Sequence, residues 1–405
     1  MNESLLSVAD AQSIIFSRLI SFPTRRVGLD QSLGSILAEK VLAERDQPPF
    51  DRVTMDGIAI AQGDFDGGTR SFQIQGIQPA GSPALSLGPA GGCIEAMTGA
   101  VLPAGCDTVI AVERIQVDDG VATLEPGYEP VQGQFVHPRG SDYRQDDVLL
   151  EPGTRIGVPE IAILAATGKS QVSVAASPRI AIISTGDEVV EVDQPILPHQ
   201  IRQSNSHAIL AALTAAGHEH CQCLHLADDQ DTLREKLAKA LEENQVLILS
   251  GGVSKGKFDF VPGILEELGV AKHVHRVAQR PGKPMWFGTR GKDRMVFALP
   301  GNPVSTLVCL HRYVLPAISL AMGATPRPPR QVRLAEAITS GSKLTCFLPV
   351  TLTSDSDGQL LGVPRQTNTS GDFASLAGTD GFVELAAEGS EFPAGHVADF
   401  YPWAG

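Results

Sequence analysis

Apolar positions recur along the chain with two different periods, and each period predicts its own kind of element. Residues 7–20 place Ile14, Ile15, Phe16, Leu19 and Ile20 on one helical stripe. Residues 29–43 repeat the pattern with Leu33, Ile36, Leu37 and Leu42, which predicts a second helix. Prolines at 48 and 49 stop it, and the chain turns extended. Residues 58–137 then alternate in short runs, at 72–77, 108–112 and 121–124, between turns rich in Gly and Pro. That pattern predicts a β-rich module. A short apolar helix at 159–167 suggests that the chain returns to its first module, which makes the β module an insertion.

From 178 to 322 the pattern changes again. Strand runs at 179–184, 218–226, 245–249, 273–277 and 295–299 alternate with helical runs at 204–216, 231–243, 260–268 and from Pro303 onward. Alternation of this kind predicts a mostly parallel, doubly wound α/β sheet. Residues 326–329 form a Pro-rich linker, and the rest reads as a small β domain. The expected division is a helical domain from 1–47 and 138–177, an inserted β domain at 48–137, an α/β domain at 178–325 and a C-terminal β domain at 326–405.

Composition narrows the class of function. The chain has 405 residues and a net charge of −14, with 42% apolar residues, which suits a folded globular protein. An acidic chain without a basic surface argues against nucleic acid as partner. No apolar run looks long enough to span a bilayer, and residues 1–12 lack a signal-peptide pattern, so no membrane partner and a cytoplasmic location are expected. The six cysteines are scattered, as reduced thiols are. His218, His220, Cys221, Cys223 and His225 crowd together, but they alternate faces of a strand and lack zinc-ligand spacing. Gly168-Lys169-Ser170 ends like a phosphate-binding loop, yet Ile163 stands where that motif needs Gly.

The candidate chemistry lies in loops that follow the α/β strands. Ligands of such sheets bind beyond the strands' carboxyl ends. Thr185-Gly186-Asp187-Glu188 follows the first strand, Asp228-Asp229 the second, Ser250 to Asp259 the third and Pro300-Gly301-Asn302-Pro303 the last. The third loop, Ser250-Gly251-Gly252-Val-Ser254-Lys-Gly-Lys257-Phe-Asp259, joins glycines that let backbone N–H groups approach an anion to two lysines and an aspartate. In the fourth, Asn302 reads as an N-cap and Pro303 as the first helical residue, giving an anion-receptive helix end. Glu188, Asp228 and Asp259 suit Mg²⁺, which takes a few carboxylates, water and phosphate oxygens. Lys283 sits in the proline-stiffened Arg280-Pro-Gly-Lys-Pro284 and presents a cation toward an oxyanion.

These residues resemble a known family. Gln47-Pro-Pro-Phe-Asp-Arg-Val-Thr-Met-Asp-Gly57, Met97-Thr-Gly-Ala-Val-Leu-Pro-Ala-Gly-Cys-Asp-Thr-Val109, Gly140-Ser-Asp142, Ser184-Thr-Gly-Asp-Glu188, Ser204-Asn205, Ser250-Gly-Gly-Val-Ser254, Pro281-Gly-Lys-Pro284 and Leu299-Pro-Gly-Asn-Pro303 are similar, in collinear order, to motifs of the MoeA/gephyrin E-domain family of molybdenum-cofactor biosynthesis. The resemblance implies a MogA-like α/β domain, a helical linker domain in two segments, an inserted β domain and a C-terminal β domain. It implies a homodimer whose shared active site joins one subunit's α/β domain to the other's inserted domain and linker. The implied reaction takes adenylylated molybdopterin and molybdate with Mg²⁺, places molybdenum on the dithiolene and releases AMP.

By the same resemblance Asp56, Thr98, Asp142, Glu188, Asp228 and Asp259 carry the chemistry. Thr185, Gly186, Ser204, Asn205, Ser250, Gly251, Gly252, Ser254, Lys257, Lys283, Pro300, Gly301, Asn302, Pro303 and Ser370 bind substrate. An adenylyltransferase and molybdoenzyme-loading proteins are the further partners it suggests. The competing readings are a molybdopterin adenylyltransferase, disfavoured by the inserted domain with Asp56 and Thr98, and a non-catalytic scaffold. Departures from the family pattern are Arg52, Val53, Thr54 and Ile58 near the first motif, and the segments Gln366 to Phe373 and Thr345 to Pro349 in the last domain. Arg52 is open to two readings, an anion contact across the dimer or a salt bridge.

Overall fold

The computed structural model describes residues 5–252, 260–387, 389 and 391–403. The chain forms two compact units. One holds the residues up to 39, 152–161 and those from 170 onward; the other holds 40–151 and 162–169.

The first unit is built on a six-stranded sheet. Its order is Cys221–Leu226, Ile180–Thr185, Val246–Ser250, Arg294–Leu299, Trp286–Arg290 and Ala271–His275. The first four strands run parallel; Trp286–Arg290 runs antiparallel to them, and Ala271–His275 is antiparallel to Trp286–Arg290. Both central strands are apolar at nearly every position because both of their faces are covered. Ile180, Ile182, Val246 and Ile248 face one core, with Ile15, Ile209, Leu213 and Val308. Ala181, Ile183, Leu247 and Leu249 face the other, with Leu233, Leu237, Leu241 and Ile264. Each fully buried aliphatic side chain contributes roughly 1.5–3 kcal/mol. Asp229 caps the Gln230–Glu243 helix by accepting from Thr232 N–H at 2.9 Å.

The helix opened by Pro303 continues to Ala321 through a π turn at Leu310–Val314. Pro316 follows that turn and has no N–H for the regular ladder, which favours a local shift of register. Its 19 residues are long and apolar enough to cross a membrane by length and composition. The sequence reading that no run has that length is corrected here. The helix is 67% buried within the protein, as the core helix of an α/β domain is.

Residues 29–43 do not form the expected second helix. Leu29–Gln31 is a single 3₁₀ turn, and Gly34 takes φ +80°, which ends helical geometry. Ile36 and Leu37 then bridge in extended form to Arg155 and Val174. Their spacing mimics a helix because both are buried from an extended backbone, while Leu33 and Leu42 are exposed. Beyond the Pro-rich linker, Arg330–Leu334, Thr345–Ser354, Leu360–Pro364, Gly381–Leu385 and Val397–Pro402 pair in a closed circuit, a small barrel.

The second unit carries a six-stranded sheet in the order Thr108–Ala111, Gly57–Ile60, Gly92–Ala96, Ser71–Gln78, Val121–Leu124 and Ile115–Asp118. Ile58, Ile60, Phe72 and Ile110 fill its core. A two-stranded pair, Arg52–Val53 with Val136–His137, lies outside this sheet.

Candidate functional site

The strand order of the α/β sheet reverses around Ile180–Thr185. The next strand in the chain, Cys221–Leu226, pairs on one side of it, and Val246–Ser250 pairs on the other. Crossovers leaving in opposite directions open a crevice at the carboxyl ends. A cavity of about 820 Å³ lies there. Thr185, Gly186 and Glu188 line it from the first strand end, Asp228 from the second, Ser250, Gly251 and Gly252 from the third, and Pro300 to Pro303 from the fourth. Ser204 and Asn205 line it too, beside Gln200 to Gln203. Ser254, Lys257 and Asp259 lie outside the described residues.

Glycines set the narrowest part of the crevice wall. Gly251 takes φ +104°, and a Cβ there would stand 2.9 Å from both Thr185 O and Thr185 Oγ1. Gly252 is similarly confined, by Val261 Cγ2 at 2.7 Å. Glycine is needed at both positions for the loop to lie against the first strand end. Thr185 Oγ1 is buried and has no hydrogen-bond partner among the described residues. Asn205 Nδ2 donates to Ser250 Oγ at 2.8 Å and to Gly301 O at 2.7 Å, which staples the third and fourth loops together. Asp228 N–H donates to Asp187 Oδ1 at 3.2 Å, tying the first loop to the second. The sequence placed Asp187 in the candidate loop but gave it no role.

The helix end at Pro303 is partly covered. Asn302 holds the N-cap position but its side chain makes no capping bond within the helix. It donates to Ser370 Oγ at 2.6 Å, and Val304 N–H donates to Ser370 O at 3.1 Å. Pro303 has no N–H, so two of the donors expected for an anion are spent or missing. Lys283 and Ser370 line a neighbouring cavity of about 790 Å³, which shares Pro284, Pro300 and Asn302 with the first. Arg280 lines it too and donates through Nη2 to Ser340 O and Oγ. Cys346 sits on its wall, where burial raises the thiol pKa and the Arg280 charge partly offsets that. The sequence read Lys283 and Ser370 as oxyanion contacts apart from the four strand-end loops, and both line this second cavity.

Asp56, Thr98 and Asp142 belong to the other compact unit. Asp56 Oδ1 accepts from Thr98 N–H at 2.6 Å and from Thr98 Oγ1 at 2.7 Å. The Thr98 backbone N–H, then its hydroxyl, hold the Asp56 pKa below the usual carboxylate value. Asp142 Oδ1 lies 3.0 Å from His137 Nε2, and His137 Nδ1 lies 3.1 Å from Arg52 Nη2. Neither reading of Arg52 from sequence named a histidine. His137 had no motif to mark it; the only available signal was that strand pairing sets it opposite Arg52.

Three family models match the chain in order. Residues 6–168 match the MoeA N-terminal region (domain I and II), 181–319 a probable molybdopterin binding domain, and 331–403 the MoeA C-terminal region (domain IV). A molybdopterin molybdenumtransferase from Synechocystis sp. is 41% identical over 98% of this chain and 100% of its own. The chain belongs to the MoeA family of molybdopterin molybdenumtransferases. A second molybdopterin molybdenumtransferase, from Nostoc sp., is 36% identical over 79% of this chain and 76% of its own. The crystal structure of a molybdopterin biosynthesis MoeA protein from Pyrococcus horikoshii superposes with a TM-score of 0.81 at 30% identity, over 99% of this chain and 100% of that one. The multidomain MoeA architecture expected from the motifs is therefore the fold of this chain.

Proposed function

We propose that this MoeA-family chain inserts molybdenum from molybdate into adenylylated molybdopterin and releases AMP. The observation that carries the reading is the crevice at the switch point, where a glycine-walled loop, a buried hydroxyl without a partner among the described residues and the carboxylates Glu188 and Asp228 converge. Gly251 and Gly252 let the loop backbone approach a phosphate, and Asn205 holds that loop against the fourth one. The neighbouring cavity, with Lys283, Arg280 and Ser370, has the cations and hydroxyl that suit a doubly charged oxyanion such as molybdate.

Mg²⁺ fits the donor set. Glu188 and Asp228 offer hard oxygen ligands, the Thr185 hydroxyl has no other partner among the described residues, and the family motif adds Asp259. When bound, the ion neutralises phosphate charge during cleavage of the adenylyl linkage. The chain's own groups do the rest. The narrow wall orients the phosphates, and Asp56, held ionised by Thr98, and Asp142 supply fixed negative charge for water or proton placement. We propose a cytoplasmic homodimer as the active form, with both subunits contributing to each reaction centre. Family membership supports that reading, as it does exchange with an adenylyltransferase and with molybdoenzyme-loading proteins.

Purified protein given adenylylated molybdopterin, Mg²⁺ and molybdate should release AMP and retain molybdenum on the pterin, measured by chromatography and elemental analysis. Accumulation of adenylylated molybdopterin from molybdopterin and Mg-ATP would instead assign the adenylyltransferase reaction. Sedimentation of the active fraction as a monomer would remove the shared site.

A further inference from the structure

The antiparallel pair Arg52–Val53 and Val136–His137 sets Arg52 directly opposite His137. Side chains facing each other across such a pair are within interaction range. Arg52 Nη2 lies 3.1 Å from His137 Nδ1, and His137 Nε2 lies 3.0 Å from Asp142 Oδ1. A guanidinium has donors only and stays charged. His137 Nδ1 must therefore accept, which leaves it without a proton. A carboxylate has acceptors only, so His137 Nε2 must donate. Both neighbours select the same species, a neutral imidazole carrying its proton on Nε2.

The backbone around Asp142 is fixed independently. Asp142 N–H donates to Gln47 O at 2.9 Å, and Gly140 N–H donates to Pro48 O at 2.9 Å. What remains free is rotation of the carboxylate, and the imidazole restrains that rotation through one oxygen. A direct arginine pair tends to be bidentate and would occupy both oxygens. Placing a neutral ring between the two charges engages Oδ1 alone. The Asp142 side chain keeps 43% of its surface exposed, so the group stays open to a ligand.

We propose that Arg52 and His137 are a positioning pair for Asp142, in which Arg52 keeps the imidazole Nδ1 bare and His137 aims the carboxylate through Nε2–H. The role in turnover rests on the reaction proposed above; the tautomer does not. His137 and Arg52 act through Asp142 and are not themselves placed on the reacting atoms.

The test uses the full-length protein labelled with ¹⁵N-histidine, with the His137 signals assigned by their loss in His137→Gln. Wild type should show Nε2 protonated and Nδ1 bare, and Arg52→Leu, in which Asp142 still holds Nε2–H, should let a proton appear on Nδ1 as well. A wild-type signal with Nδ1 protonated would overturn the proposal outright, as would an Nδ1 that stays bare in Arg52→Leu. For turnover, His137→Ala should lower kcat for AMP release by about tenfold while KM stays within roughly twofold. His137→Gln, whose amide offers one acceptor and donors, should recover most of that loss. A His137→Ala protein with full kcat and only a lower melting temperature would make the pair a structural strut. Should wild type release no AMP at all, the reaction assignment fails, and the state of Nδ1 in wild type and Arg52→Leu still decides whether Arg52 keeps it bare.

Discussion

The α/β crevice and the carboxylate sites of the inserted unit are built in opposite ways. The crevice is shaped by backbone: Gly251 must be glycine because a side chain would meet Thr185, and Asn205 clamps two loops. The inserted unit's sites hang on side chains over a plain β framework, with Asp142 held by His137 and Arg52, and Asp56 by the Thr98 hydroxyl together with its N–H. A backbone site tolerates almost no substitution at its narrow points. A side-chain site degrades by steps, since each partner removes one hydrogen bond and leaves the framework intact.

That contrast predicts its largest effect at Gly251. Gly251→Ala forces a Cβ to within 2.9 Å of Thr185 O at φ +104°. The crevice must widen, and a displacement near 1 Å can cost about 10²-fold in rate. We expect a loss of about that size in kcat/KM for AMP release, with retained far-ultraviolet circular dichroism. Activity near wild type would show that the wall is not a positioning surface. Asp228→Asn should lose activity by a similar factor of about 10², as removal of a charge-stabilising group does. Its neighbour is the control. Asp229 caps a helix, so Asp229→Asn should leave kcat nearly unchanged, because Asn is also a good N-cap. Equal losses at 228 and 229 would erase the distinction between cavity and cap.

Acid separates the two units next. His218 and His311, both in the first unit, have imidazoles pushed down to about 4, His218 by burial with Arg155 nearby and His311 by burial. Their unfolded forms bind protons from about pH 6.5 downward. Stability of this unit is therefore present above about pH 6.5 and is lost as pH falls toward 4, by a few kcal/mol in order of magnitude. Asp46 and Asp56, both in the second unit, have lowered values, Asp46 through Gln145 N–H and then Arg139, Asp56 through Thr98. Their contribution survives until pH falls below the ordinary carboxylate range near 4. Circular dichroism and local fluorescence probes should report the first unit loosening at higher pH than the second. Thr98→Val keeps the N–H bond to Asp56 but removes the hydroxyl, so the acid limb of the activity profile should move upward in pH. An unmoved limb would remove Asp56 from the protonation that activity needs.

The same contrast explains what the sequence disclosed. Gly251, Gly252, Asn302 and Pro303 advertise backbone geometry by residue type, so the crevice was legible from four loops after four strands. The continuous apolar runs of Ile180–Thr185 and Val246–Ser250 likewise announced a sheet covered on both faces. Residues 29–43 misled because a buried extended segment can share spacing with a helix over a few positions, and Gly34, at φ +80°, ends helical geometry without changing that spacing. The Arg52–His137–Asp142 chain was hidden because it depends on register: two residues 85 positions apart meet only when their strands pair. Lys283 and Ser370 were legible as anion contacts but not as members of a neighbouring cavity, which requires the barrel to be in place.

The smallest effect lies where the two styles of construction meet, at Ser370. Its carbonyl accepts from Val304 N–H and its hydroxyl from Asn302 Nδ2, so one residue covers a helix end by backbone and by side chain. Ser370→Ala keeps the first bond and removes the second, a net change of about 0.5–1.5 kcal/mol for one hydrogen bond. If the hydroxyl only pins the loop, KM for molybdate should rise by no more than about tenfold and kcat should hold. Ser370→Pro would leave the carbonyl in place but remove the hydroxyl and stiffen the turn, so a loss equal to that of Ser370→Ala would assign the effect to the hydroxyl alone. A large fall in kcat for Ser370→Ala would instead make the hydroxyl part of the chemistry, and the neighbouring cavity would then join the crevice as a side-chain site rather than a backbone one.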